Sequence, residues 1–278
     1  MKAIKNLTLM AAALVTAISC GQDKAPKVLV LYYSQTGTTQ VVAEELQKRL
    51  GADIEEIVPV DPYDGTYQET ISRGMQELNS KEFPKLEPLK SDIRSYDVIF
   101  LGFPVWFGTY ANPIATLLEE VDFSGKKVVP FCTFGSGGLD ACVKNIKAAI
   151  PDAEVLPGYG VRAARIAAVP DEIDRFLKEG GFIPGEFVKL EDFPEAHPAS
   201  EAEAAIFDTA VGSYPMIRAK ATEVASRAIP GGTEYLFTAE DLPREGAPGM
   251  PAPPAGAGFK VYVTALDGQA PEFTQVVR

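Results

Sequence analysis

The chain has 278 residues, a formal net charge of −12 and an apolar share of 46%, enough to bury the core of one or two globular domains. Its acidity excludes nucleic acid as a natural partner, because the phosphate backbone calls for a basic surface. A single histidine, His197, and three cysteines in no cluster give little support to a zinc site or a histidine-based triad.

Lys2 and Lys5 open the chain, and the apolar run from Leu7 to Ile18 is too short to span a bilayer as a mature helix. It ends in Ala17-Ile18-Ser19-Cys20, which resembles a bacterial lipobox, with Ala17 where leucine is usual. The resemblance implies a signal peptide over residues 1–19, cleavage before Cys20, a lipid on the Cys20 thiol and a tether over residues 20–26. The expected location is therefore outside the cytoplasm, at a periplasmic or cell-surface membrane face, with the membrane reached through the lipid anchor only. A plain secretory peptide is the alternative. Cys132 falls in a strand and Cys142 in a helix. A disulfide is conceivable in an exported protein, but the central position of Cys132 favours buried free thiols.

Val28 to Tyr33 is an apolar run that reads as a buried parallel strand. A short loop follows from Ser34 to Thr39, and then a helical pattern with Val42, Leu46 and Leu50 four apart, stopped by Gly51. Ser34, Thr36, Thr38 and Thr39 offer hydroxyls, Gly37 lets the backbone approach a ligand, and the helix start adds free N–H groups and partial positive charge. The loop has no Lys or Arg and lacks the G-x-x-x-x-G-K spacing of a triphosphate loop. A phosphate held by hydroxyls and amides points to flavin mononucleotide (FMN); an ordinary polar strand–helix turn is the alternative.

Ser34-Gln35-Thr36-Gly37-Thr38-Thr39 resembles the flavodoxin phosphate loop, S/T-x-T-G-x-T, at every fixed place. Two later segments extend the likeness. Tyr96 to Gly102 is an apolar strand ending in Phe103-Pro104-Val105-Trp106-Phe107-Gly108-Thr109, and Lys127 to Cys132 is another ending in Thr133-Phe134-Gly135-Ser136-Gly137-Gly138. In flavodoxins the loops after these strands hold the isoalloxazine ring. The likeness spans roughly Pro26 to Pro184 and implies an α/β, flavodoxin-like, doubly wound parallel sheet of five strands in the order 2-1-3-4-5, with FMN as cofactor. It places the phosphate on residues 34–39 and the ring against Pro104, Val105, Trp106, Phe107 and Gly108 and against Thr133, Phe134, Gly135, Ser136, Gly137 and Gly138. All three loops follow strand carboxyl ends, where open α/β sheets bind ligands. Trp106, the only tryptophan, can stack on a planar ligand or pack into a core. The glycines at 135, 137 and 138 allow close approach to a flat ring or a flexible connection.

The remaining elements follow in order. A second strand is expected over Ile54 to Val58 and a helix over Thr66 to Asn79. Asp61-Pro62-Tyr63-Asp64 resembles a Tyr-containing segment of related sequences, leaving Tyr63 at the flavin rim or in a turn capping the sheet. Helices are expected over Pro113 to Glu120, Leu139 to Ile150 and Asp171 to Glu179, the last closed by Gly180-Gly181, with a fifth strand near Val155 to Val161.

After Pro184 the composition changes. The flavodoxin-like domain occupies residues 27–184, a Pro-rich linker 185–199, and an α+β unit 200–278. Ser200 caps a helix through Glu203 to Val211, ended by Gly212. Strand-like runs follow at Met216 to Val224, Thr233 to Thr238, Phe259 to Ala265 and Phe273 to Val277, with a Pro/Gly/Ala loop from Pro243 to Gly258. The unit resembles cystatins, Ala228 to Tyr235 standing for their hairpin. The Q-x-V-x-G pattern is not met, with Arg227 where glutamine would begin it, so protease inhibition is not implied. The linker composition marks a domain boundary, so this unit is expected to be separable and not to bind the flavin, with a substantial interface between the two units left open by the shortness of the linker.

The implied function is FMN redox chemistry: electron carriage to a redox partner protein, or reduction of a small-molecule acceptor such as a quinone. A loop without cations in an acidic surround is expected to disfavour negative charge on the reduced flavin. The rival is a non-catalytic binding or interaction lipoprotein that retains the fold. No G-x-G-x-x-G fingerprint identifies an electron donor.

Overall fold

The structure, a computed structural model, describes residues 25–212, 214–242 and 258–278. The expected signal peptide, the expected lipidation site at Cys20, most of the expected tether and the Pro/Gly/Ala stretch lie outside the described residues. Among the described residues no helix is long and apolar enough to cross a membrane.

The first unit runs β1 (Val28–Tyr32), α1 (Thr38–Leu50), β2 (Asp53–Glu56), α2 (Tyr67–Ser80), β3 (Val98–Trp106), β4 (Thr109–Tyr110), α3 (Asn112–Glu120), β5 (Lys127–Phe134), α4 (Leu139–Ala149), β6 (Glu154–Val155), β7 (Tyr159–Arg162) and α5 (Val169–Glu179). Its parallel strands stand in the order β2-β1-β3-β5-β6, with β7 also on β5 and β4 folded back on β3. Leaving the β4 hairpin aside, this is the expected 2-1-3-4-5 order. The fifth position is two short strands rather than one, because Leu156-Pro157-Gly158 interrupts it and a proline has no N–H for the ladder.

Both faces of this sheet are covered, which explains the unbroken apolar runs. Leu29, Leu31 and Tyr33 point into a core with Ile114, Leu117 and Leu118 of α3 and Ile146 of α4. Val30 and Tyr32 point the other way, onto Val42 and Leu46 of α1 and Ile173 and Leu177 of α5. Cys132 and Cys142 are buried free thiols, and burial pushes both up from the ordinary thiol value.

The second unit is a separate antiparallel sheet: β8 (His197–Pro198), β9 (Ala219–Ile229), β10 (Gly232–Asp241), β11 (Gly258–Leu266) and β12 (Glu272–Val277), in the order β12-β11-β10-β9-β8. Its helix, α6 (Glu201–Val211), is capped by a reciprocal pair, Ser200 Oγ accepting from Glu203 N–H while the Glu203 carboxylate accepts from Ser200 N–H. Phe207, Ala210 and Val211 of α6 lie on Val224, Phe237, Val261 and Phe273 of the sheet. The Ile229↔Gly232 pair leaves Pro230-Gly231 as a two-residue turn, with Gly231 at φ +74°. Two expectations are corrected. The linker is not wholly free of structure, since His197 and Pro198 pair with Val224 and Glu223; an edge position tolerates the proline. The strand expected from Met216 starts at Ala219, because Ile217 N–H turns back to the Tyr214 carbonyl.

Candidate functional site

The carboxyl ends of β1, β3 and β5 form one crest, carrying the residue 33–37 turn, the β3–β4 hairpin and the residue 135–138 loop. The chain leaves β1 for β2 on one side and reaches β3 on the other, so the crevice opens at the point where strand order reverses.

At the first loop, Gly37 adopts φ +82° at the N-cap of α1, and a Cβ there would meet nothing within 4 Å. Its glycine is required by the backbone angle, and the space beside it is open. Gln40 N–H donates to Ser34 Oγ at 3.2 Å, holding the turn. Among the described residues, no backbone carbonyl accepts from the amides of Gly37, Thr38 or Thr39. These free amides, at the positive end of a 13-residue helix, suit an anion. Thr36 Oγ1 and Thr38 Oγ1 lie 3.3 Å apart, near enough to serve one anion together.

Not every residue of the loop faces outward. Thr39 Oγ1 and Thr133 Oγ1 pair at 2.8 Å, both buried, and tie the start of α1 to the end of β5. Gln35 accepts from Tyr33 Oη at 2.5 Å and its Nε2 donates to the Tyr63 carbonyl. The side chains of Thr39, Thr133 and Gln35, expected at the ligand, are thus engaged with the protein's own groups.

The second loop is also more regular than expected. Phe103, Pro104, Val105 and Trp106 continue β3, and Phe107 (φ +51°) and Gly108 (φ +81°) form the turn into β4. Ala111 N–H donates to the Pro104 carbonyl, and Asn145 Nδ2 to Thr109 Oγ1, fixing the hairpin to the body. Trp106 is half-buried, edge-on to Tyr33 (5.8 Å, 86°) and Tyr63 (5.0 Å, 80°). Phe107 is exposed and lies over Gly74 of α2, where a Cβ would come within 3.0 Å of its ring.

Tyr63 is buried beneath these aromatics. Its Oη donates to Glu77 Oε2 at 2.5 Å, and the Arg73 guanidinium sits 4.0 Å over its ring while bonding Glu77 Oε1 at 2.8 Å. Asn112 Nδ2 completes the Glu77 carboxylate at 2.8 Å. Burial, then the bond to Glu77, raises the Tyr63 phenol well above its ordinary value, so it stays a donor at neutral pH. Tyr63 is therefore a pillar under Trp106.

At the third loop, Phe134 is a core residue of β5 rather than a loop residue. Gly138 adopts φ +122°, and a Cβ there would fall 2.8 Å from Val105 Cγ1, so the second and third loops abut. The far side of this loop meets the second unit. Val276 N–H of β12 donates to the Ser136 carbonyl at 2.6 Å, and Arg162, at the end of β7, donates to the Gly135 carbonyl at 2.9 Å. The two units therefore meet at this loop, and the buried Arg162 guanidinium stands between them. Arg162 carried no signal in the sequence: it ends a short strand like any polar residue, and its partner Phe273 lies 111 positions away.

Fold and site together define an open α/β protein with an anion cradle and an aromatic wall at the switch point of its sheet. The Flavodoxin family profile matches residues 27–171, more than half of the sequence, and the chain belongs to that family. Flavodoxin 1 of Escherichia coli is 26% identical over 106 residues, covering 37% of this chain and 46% of that protein. The chain thus spans about half the length of the curated relatives it matches. Among solved structures, a flavoprotein in complex with FMN from Lactobacillus acidophilus is 27% identical over 54% of this chain and 97% of its own, with a TM-score of 0.46. The oxidised Flavodoxin 2 of Bacillus cereus is 17% identical over 55% of this chain and 99% of its own, with a TM-score of 0.36.

Proposed function

We propose that the crest binds FMN and that the protein carries electrons or reduces a small acceptor such as a quinone. The observation that carries this reading is the residue 34–39 cradle: free amides and two adjacent threonine hydroxyls at a helix start, without a lysine or arginine. That donor set fits one terminal phosphate, and among the described residues no second loop of the same kind stands beside it for a diphosphate. Flavodoxins are themselves a type example of ligand binding at a β1/β3 switch point. Bound FMN supplies the redox chemistry. The chain's residues hold and shield it: Thr36 and Thr38 orient the phosphate, Trp106 and Phe107 wall the ring, and the Gly138–Val105 contact closes the two ring loops together. Titration with FMN and FAD tests this directly. The expected result is a yellow complex with a perturbed flavin spectrum, FMN binding more tightly than FAD by about tenfold or more, a difference of at least about 1.4 kcal/mol. No spectral change at saturating FMN would overturn it.

We further read the chain as an exported lipoprotein with a cystatin-like second unit. Support for export is the Lys2/Lys5 start, the short apolar run and the small residues before Cys20. Support for the cystatin likeness is a capped helix laid across a five-stranded antiparallel sheet in which β9 to β12 follow one another as a meander. Mass spectrometry of the mature N-terminus is expected to find a lipid-modified Cys20, and Cys20→Ser to release the chain from the membrane fraction or leave it unprocessed. An unmodified Cys20, or cleavage elsewhere, would refute the anchor.

A further inference from the structure

We infer that Arg162 is a positioning residue that latches the second unit onto the ring-side loop, so that docking of β12 and binding of FMN are coupled; this rests on the FMN reading above. Arg162 is only 8% exposed. Its guanidinium lies 3.4 Å over the Phe273 ring and 5.4 Å from the Tyr214 ring. Nε donates to the Gly135 carbonyl and Nη1 to the Phe273 carbonyl at 3.1 Å. One cation therefore holds a carbonyl from each unit. Among the described residues it pairs with no carboxylate; burial draws it below the ordinary arginine value, but guanidinium keeps its charge at neutral pH. A desolvated cation whose hydrogen bonds go to carbonyls favours the arrangement in which both carbonyls are present.

The loop itself is shaped for this contact. β12 is an edge strand, and its outward Val276 N–H, which a free edge would leave unpaired, is satisfied by Ser136. A Cβ on Gly137 would overlap the Val276 carbonyl oxygen, and one on Gly135 would come within 2.9 Å of Tyr214 Oη. The two glycines thus allow close approach of the second unit, whatever they also allow on the ligand side. At the rim, Arg165 bonds Glu272 at 3.3 Å. The loop is held by Val105 on one side and by β12 on the other, so a ligand that requires its present shape binds better to the docked state. By linkage it also favours docking.

Hydrogen exchange at the Val276 amide, measured in the full chain with and without FMN, tests the coupling. Bound FMN is expected to slow this exchange at least threefold in the wild type. Arg162→Met is expected to speed it about tenfold without ligand and to weaken FMN binding about fivefold, with Arg162→Lys between the two. Should Arg162→Met fail to fold, Gly137→Ala, which displaces β12 but leaves the cation, must show both effects. Wild-type protein that binds FMN with no change at Val276, or variants that free Val276 yet bind FMN as the wild type does, would overturn the latch and leave the FMN reading intact. A wild-type chain that binds no FMN would overturn the functional reading, and the coupling with it.

Discussion

Replacing Thr36 and Thr38 together by alanine is expected to lower FMN affinity at least tenfold, with little change in thermal stability. The two hydroxyls lie 3.3 Å apart, Thr36 is exposed, and neither is committed to the protein interior. A hydrogen bond to a charged group contributes about 1.5–3 kcal/mol. Solvent access keeps each of these near the lower end, and the free amides of residues 37–39 remain to hold part of the phosphate. Thr39→Val is the contrast in the same experiment. It leaves the buried Thr133 hydroxyl without its 2.8 Å partner, which costs about 1–3 kcal/mol of stability, while FMN affinity changes less. Isothermal titration and thermal unfolding of the two variants separate these outcomes. Unchanged FMN affinity in the Thr36/Thr38 variant would sink the phosphate assignment.

Trp106→Ala is expected to strike stability and ligand binding at once. The indole is half-buried, edge-on to Tyr33 and Tyr63, and Tyr63 in turn anchors Arg73 and Glu77 of α2. Removing a fully buried tryptophan costs about 3–5 kcal/mol, and half-burial reduces this to roughly 2 kcal/mol. Loss of stacking against a flat heterocycle adds about 1–3 kcal/mol to the FMN deficit. The first term appears in unfolding of the ligand-free variant and the second only on titration. Because Trp106 is the sole tryptophan, its fluorescence reports the contact directly, and FMN is expected to quench most of it. If FMN binds while emission is untouched, Trp106 belongs to the frame alone.

The parts legible in the sequence are those whose cause is local. The residue 28–51 strand–loop–helix announces itself through an apolar run, a cluster of hydroxyls and a four-residue repeat, and the structure has β1, the turn and α1 at those places. The sheet order came through the family likeness, since periodicity says nothing about which strands are neighbours. Element ends were misjudged where local signs mislead. Pro104 looks like a strand stop, yet β3 runs through it to Trp106, and the turn uses Phe107 in a left-handed conformation that its side chain does not advertise. Pro198 suggested an open linker but occupies a sheet edge that asks for no N–H from it. The protein bonds of Gln35, Thr39 and Thr133 were not legible because a hydroxyl or amide in a loop looks the same whether it faces solvent or a neighbouring strand. Arg162 was invisible for a further reason: its meaning depends on a unit that begins some forty residues later and reaches back with its last strand.

That return also sets an order of manufacture. A chain is made from its N-terminus, so the loop at residues 135–138 exists well before β12 at residues 272–277. At roughly 5–20 residues per second the interval is on the order of ten seconds, long compared with the folding of most small domains. During it the residue 135–138 loop has no β12 to bond. β12 is thus made long after the loop it covers, and loss of that strand would leave the Ser136 carbonyl and the Arg162 guanidinium without their partners from the second unit.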